Sequence, residues 1–119
     1  MQLVEKHVIK SSHKYYQEID NLCFLSKNLY NASNYLIRQN LFKTGKILNY
    51  NQVQKLTQES VDYKAIPAKV SQQILMVLDR NWKSFLAAFK AYEKNPSKFL
   101  SKPKLPKYKK KEVVYLMQI

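Results

Sequence analysis

The stretch IPAKVSQQILMVLDRNWKSFLAAF, residues 66–89, carries the most regular apolar pattern in the chain. Pro67 suits the first turn of a helix, because its missing N–H has no helical partner to lose. Asn95 and Pro96 end the pattern. It predicts a helix over residues 67–94, whose core face is formed by Ile74, Leu78, Trp82 or Phe85, Phe89 and Tyr92.

A second long helix is predicted upstream, over residues 13–43. Ser11 and Ser12 offer an N-terminal cap, and Gly45, the only glycine, offers a C-terminal cap. Apolar residues here recur at steps of three and four, which places them on one stripe of the helix. The predicted stripe consists of Leu22, Leu25, Leu29, Ala32 and Leu36.

Shorter elements complete the expected fold. A helix over residues 51–60 takes its cap from Asn49 or Asn51, and residues 2–10 and 112–119 favour strands. A chain of 119 residues fits one domain. We expect a mainly α domain of three helices, two of them long and antiparallel, with short N- and C-terminal strands able to pair.

The composition points to an anionic partner. The chain has 21 Lys plus Arg against 8 Asp plus Glu, a net charge of +13, and 45% hydrophobic residues, which favours a folded protein. Such an excess suits nucleic acid or an anionic membrane surface. The single cysteine cannot form an internal disulfide. The sequence shows no signal-peptide core and no apolar run of roughly 18 residues, so we expect a cytoplasmic protein without a membrane partner.

Positive charge is concentrated in SKPKLPKYKKK, residues 101–111, which holds six lysines and no acid. Pro103 and Pro106 favour an extended chain, along which lysines can neutralise successive phosphates and an aromatic ring can stack on a base. A disordered basic tail is the alternative, but an apolar segment follows, which favours a segment anchored at both ends. The predicted contacts are Lys102, Lys104, Lys107, Tyr108, Lys109 and Lys110.

The helix over residues 67–94 offers a second basic surface. A ridge opposite the Ile74 stripe could follow a phosphate backbone, although a solvated polar face is the favoured interpretation of this helix taken alone. The ridge consists of Lys69, Gln73, Met76, Arg80, Lys83, Lys90 and Lys94. We keep Arg80, Lys83 and Lys90 as secondary contacts that would face a duplex.

Nothing in the sequence predicts catalysis, a metal site or a cofactor. Cys23, His7 and His13 are too few and too scattered for a four-ligand zinc site. Asp20, Asp62 and Asp79 are spread over three segments, and Asp79 is expected to pair with Lys83 one turn away. With one glycine, no Gly-rich phosphate loop can form.

Residues 66–89 resemble a signature near the N-terminus of the TnpB (OrfB) proteins of bacterial insertion sequences. Residues 101–111 are similar to the basic stretch that follows it, with Ser101 where glycine is common and Leu105 where an aromatic is common. Leu29-Tyr30-Asn31 resembles part of the family's first helix. The signature residues here are Pro67, Gln72, Gln73, Leu78, Asp79, Arg80, Trp82 and Phe85.

The resemblance covers this chain but only the front third of a family member. Full members are RNA-guided DNA endonucleases with a RuvC-like core and a zinc ribbon, whose sequence is absent here. The resemblance implies the wedge strands and helical recognition insert, or a helix-turn-helix DNA-binding domain, with guide RNA or DNA as partner. It also implies a chain cut short, whose residues 113–119 would expose an apolar edge and allow self-association.

One other interpretation stays open at this point, a stand-alone basic module that binds another protein or an anionic membrane surface. An intact small nuclease is dismissed unless an activity is found that depends on magnesium and on Asp79. The sequence does not decide between RNA and DNA.

Overall fold

A computed structural model describes the backbone of residues 4–8, 16–109 and 114–118, and the side chains of residues 16–109. Residues 16–109 are 76% helical and contain no strand. Their helices are α1 (Tyr16–Thr44), α2 (Tyr50–Thr57), α3 (Val61–Lys64) and α4 (Ala68–Lys94), followed by a 3₁₀ helix, Pro96–Lys98. Outside this body, β1 (Val4–Val8) and β2 (Val114–Gln118) run antiparallel, with His7 opposite Tyr115.

The mainly α class holds, but the rest of the predicted class needs correction. The helical body has four α-helices rather than three, and no strand contributes to it. Since β1 and β2 form a ladder of only two strands, they add little stability of their own. Within residues 16–109, the core is built mainly by packing between helices. The side chains of residues 113–119, on which the predicted self-association depends, lie outside the described ones.

Caps explain where the helices begin and end. Gly45 adopts φ +77° and donates its N–H to the Leu41 carbonyl at 2.8 Å, which confirms it as the cap of α1. The Asn49 side chain accepts from the Gln52 N–H while the Gln52 side chain accepts from the Asn49 N–H, both at 2.9 Å. This reciprocal capping box selects Asn49 over Asn51 as the cap of α2.

The predicted helix over residues 51–60 is wrong in its C-terminal part. Its last residue, Ser60, is instead the cap of α3, and its side-chain oxygen accepts the Tyr63 N–H at 3.2 Å. A serine oxygen that bonds a later backbone N–H starts a new helix rather than continuing the old one. The short α3 then leads through the buried Ile66 into α4.

The core forms where α1 and α4 meet. Trp82 and Leu78 of α4 are each 1% exposed, and Leu29 of α1 is fully buried. Phe85 packs edge-on against Trp82, with ring centroids 5.7 Å apart, so Trp82 is the core residue and Phe85 its partly buried neighbour. The other core residues are Tyr30, Ile37, Val53, Tyr63, Ile66 and Leu75.

The predicted core stripe of α1 is correct at its centre, where Leu29 is fully buried and Leu25 packs against the core. It is wrong at Leu22, which is 41% exposed, and at Ala32, which is also exposed. The residues that α1 buries are Leu29, Tyr30, Ser33, Asn34 and Ile37. Two of these are polar, so a search for apolar residues at helical spacing misplaces the buried face.

No helix among the described residues is long and apolar enough to cross a membrane.

Candidate nucleic-acid interface

The basic segment lies against the helical body rather than extending from it as a tail. The 3₁₀ helix turns the chain back, and Phe99 packs edge-on against Tyr92 of α4 with centroids 5.7 Å apart. Further on, Leu105 is half-buried and packs against the core. We call residues 102–109 the basic strap. Its apolar contacts show that it has a fixed place on the body.

Three polar side chains of α1 hold the backbone of the strap. Asn31 donates to the Lys109 carbonyl at 3.0 Å and accepts the Lys109 N–H at 2.7 Å. Asn34 donates to the Pro106 carbonyl at 3.1 Å, and Arg38 donates to the same oxygen. These residues are spaced three and four apart, so they lie on one face of α1. Four hydrogen bonds therefore fix residues 106–109.

Asn34 joins the strap to the core. It is fully buried, and its side-chain oxygen accepts the Trp82 indole N–H at 2.9 Å while its amide nitrogen donates to Pro106. Beside it, Asn81 of α4 donates to the Tyr30 hydroxyl at 2.8 Å. α1, α4 and the strap thus meet around one amide group.

The strap lysines divide into two kinds. Lys102 lies over the Phe89 ring at 5.5 Å and Lys109 over the Tyr30 ring at 5.2 Å, so both ammonium groups rest on aromatic faces of the body. Lys104 and Lys107 are exposed and make no ion pair or ring contact within residues 16–109. Lys104 and Lys107 are therefore the strap cations best placed to reach an outside anion.

Tyr108 is the one aromatic residue of the strap. Its ring is 42% exposed, and the Arg38 guanidinium lies 4.7 Å from the ring centroid. The arginine thus covers part of the tyrosine while the rest faces solvent. Lys110, the last predicted contact, lies outside the described residues.

The secondary contacts lie on a different surface. Arg80, Lys83 and Lys90 are all exposed on α4, and Lys83 pairs with Asp79 at 2.9 Å, as predicted. At 3.6 residues per turn they fall on the opposite side of α4 from Phe89 and Asn81, which lie towards the strap and α1. The structure therefore does not join the two predicted groups into one surface.

The sequence reasoning missed the α1 side chains that hold the strap. Asn31 was noted only as part of Leu29-Tyr30-Asn31, and Asn34 and Arg38 were not predicted, because the apolar pattern of the helix does not include them. Their spacing on a single face is the signal that could have revealed them. Their partners, however, lie 68 to 78 positions away along the chain.

No cluster of three or more His, Cys, Asp or Glu suited to a metal ion occurs among the described residues. Cys23 is half-buried on α1, and burial, with a smaller contribution from the charge of Asp20, raises the pKa of its thiol from 9.0 to about 11. A raised pKa disfavours the reactive thiolate. His7 and His13 have no described side chain.

A second surface feature lies where α1 ends beside α2. An open pocket of about 660 Å³ is bordered by the exposed Phe42 and Leu56, which are 66% and 61% exposed. Its other lining residues are Tyr35, Leu36, Gln39, Asn40, Lys43 and Leu48. Apolar residues exposed together mark surfaces that contact other molecules.

No protein-family model, curated protein or solved structure matches the chain.

Proposed function

We propose that this chain binds nucleic acid through the basic strap and performs no chemistry of its own. The observation that carries the proposal is the fixed backbone of residues 106–109 beneath exposed cations. Lysines on a free tail would also attract phosphates, but a tail has no preferred arrangement. A held strap presents its charges along a defined line.

Fixing the strap in advance favours binding. Ordering a residue's backbone costs roughly 1–2 kcal/mol, and a disordered segment would have to lose that freedom when it binds. Here the helical body orders the strap before any ligand arrives. Lys104 and Lys107 can then neutralise phosphates and release their condensed counterions.

The resemblance to TnpB proteins supports a more specific version of this proposal. We infer that the chain corresponds to the nucleic-acid-binding front part of such a transposase-associated protein, with guide RNA or DNA as its partner. The signature residues and the lysine-rich stretch support this inference. In that setting the body would contact backbone and duplex shape, and base pairing would supply sequence specificity.

The membrane alternative has less support from the geometry. An interfacial segment inserts apolar side chains between its basic ones. In the strap, Leu105 packs against the protein core and is not free to insert, which leaves only Tyr108. Binding to another protein keeps one specific observation in its favour, the apolar pocket beside Phe42 and Leu56.

Fluorescence anisotropy with labelled structured RNA, duplex DNA and single-stranded DNA tests the proposal. We expect binding to at least one of them at moderate salt, weakened in the variant Lys104→Ala/Lys107→Ala. Flotation with phosphatidylserine vesicles provides the comparison. Tight vesicle binding with no nucleic-acid binding would contradict the proposal.

A further inference from the structure

We propose that Tyr108, backed by Arg38, is a stacking platform for an unpaired base, so that the strap takes single-stranded rather than fully paired nucleic acid. This inference rests on the proposed function, because it concerns the same strap. It adds the class of ligand, a single strand with an unpaired base, and the positioning residue Arg38 on α1.

The position of Arg38 is fixed by its surroundings. One terminal nitrogen of its guanidinium donates to the Pro106 carbonyl, and its Nε is buried with no hydrogen-bond partner among the described residues. The guanidinium lies 4.7 Å from the Tyr108 ring centroid. A partly buried arginine held in this way can support a ring from one side.

The backbone on both sides of Tyr108 is fixed as well. The Pro106 carbonyl, two residues before it, accepts from Asn34 and Arg38, and Lys109, directly after it, exchanges two hydrogen bonds with Asn31. Tyr108 is 42% exposed, and the Arg38 guanidinium occupies the space beside its ring on the side of the body. Its solvent-facing part is available for stacking.

An exposed, fixed ring between lysines suits a single strand. Each unpaired base has a free face that can stack on an aromatic side chain, whereas the bases of a duplex are already stacked on each other. Lys107 and Lys109 flank the ring in sequence, and the exposed Lys107 can reach a phosphate of the same strand. The guanidinium behind the ring also holds the platform rigid.

A single-stranded oligonucleotide containing 2-aminopurine tests the platform, because stacking quenches the fluorescence of this base. We expect quenching by the wild-type chain and by Tyr108→Phe, which keeps the ring. Tyr108→Leu should abolish the quenching and weaken single-strand binding about tenfold, while blunt duplex binding changes little. Tyr35→Leu is the matched control, because it removes an exposed tyrosine that lies on α1 and outside the strap. This variant should behave as wild type.

Arg38→Lys tests the positioning role. It keeps the charge but loses the planar fork, so we expect weaker quenching with an unchanged salt dependence. If this variant does not fold, as judged by circular dichroism, Tyr108→Leu still tests the stacking platform. Tyr108 is partly exposed, so we expect its replacement to leave the fold intact.

The inference and the proposed function can fail separately. Equal affinity for duplex and single strand, with quenching unaffected by Tyr108→Leu, would overturn the platform. If Lys104→Ala/Lys107→Ala still weakened binding in that case, the proposed function would stand. Absence of binding to either oligonucleotide would overturn both.

Discussion

Asn34 is the residue on which both the helical core and the strap depend. Its fully buried side-chain amide accepts from the Trp82 indole N–H and donates to the partly buried Pro106 carbonyl. Asn34→Ala would leave the Trp82 indole N–H without an acceptor and would remove one of the two donors to the Pro106 carbonyl. We expect a loss of about 3 kcal/mol in the free energy of unfolding, measured by urea denaturation.

Gln39→Ala provides the control for that measurement. Gln39 lies on the same helix but is exposed, so its removal should change stability by about 0.5 kcal/mol at most. Similar stabilities for the Asn34 and Gln39 variants would show that the buried amide does not link α1, α4 and the strap.

Cys23 allows a residue-scale test of burial through pH. Burial, and to a smaller extent Asp20, raises the pKa of its thiol from 9.0 to about 11, so the thiol stays protonated over a wider range. At pH 8 the thiolate should be roughly a hundredfold rarer than in an ordinary cysteine. The alkylation rate by iodoacetamide should still rise steeply above pH 10, where an ordinary thiol is already almost fully ionised. A rate that levels off by pH 10 would contradict the burial of this group.

Residue contacts could be predicted from the sequence where they are local. The Asp79–Lys83 pair joins positions four apart on one helix, so spacing alone identifies it. Asn34 has partners 48 and 72 positions away, and its polar side chain argued against burial. Only the packed structure shows that those partners satisfy it.

At the scale of elements, the cap of α2 can be tested directly. The sequence left Asn49 and Asn51 open, and the capping box with Gln52 selects Asn49. Asn49→Ala should lower stability by about 1 kcal/mol, because the Gln52 N–H loses its side-chain acceptor. The urea midpoint measures the change.

Asn51→Ala is the matched control, since Asn51 is exposed inside the first turn of the same helix. Its urea midpoint should stay close to that of the wild type. An Asn51→Ala variant as destabilised as Asn49→Ala would mean that the helix begins elsewhere.

The long helices could be predicted because their end signals are strong. Gly45, Pro67 and Asn95 mark ends that the structure places within a residue or two. The break between α2 and α3 was missed, because Ser60 fits a helix end as well as a helix start. The buried face of α1 was missed because Ser33 and Asn34 occupy it.

At the scale of the whole molecule, the sequence shows which residues carry the positive charge but not what surrounds each of them. Residues 90–111 hold nine lysines and one acid, so this part of the chain is basic however it folds. Folding divides these lysines. All four strap lysines in the described residues are exposed, but Lys102 and Lys109 each lie over an aromatic ring of the body, whereas Lys104 and Lys107 have no such contact.

The strap and the basic ridge of α4 lie on different surfaces. Arg80 and Lys83 lie on the side of α4 that faces away from the strap. One straight duplex therefore cannot contact the strap and the ridge at the same time. Helical spacing alone could not show this, because the position of the strap depends on its contacts with α1.

The salt dependence of binding tests the central claim most directly. Log affinity for a labelled single strand should fall against log salt by about 0.7 per phosphate neutralised, so Lys104→Ala/Lys107→Ala should make the slope shallower by about 1.4. Lys46→Ala/Lys55→Ala removes the same charge from exposed positions outside the strap and should leave the slope unchanged. Equal slopes for the two variants would contradict the claim that the strap is the phosphate contact.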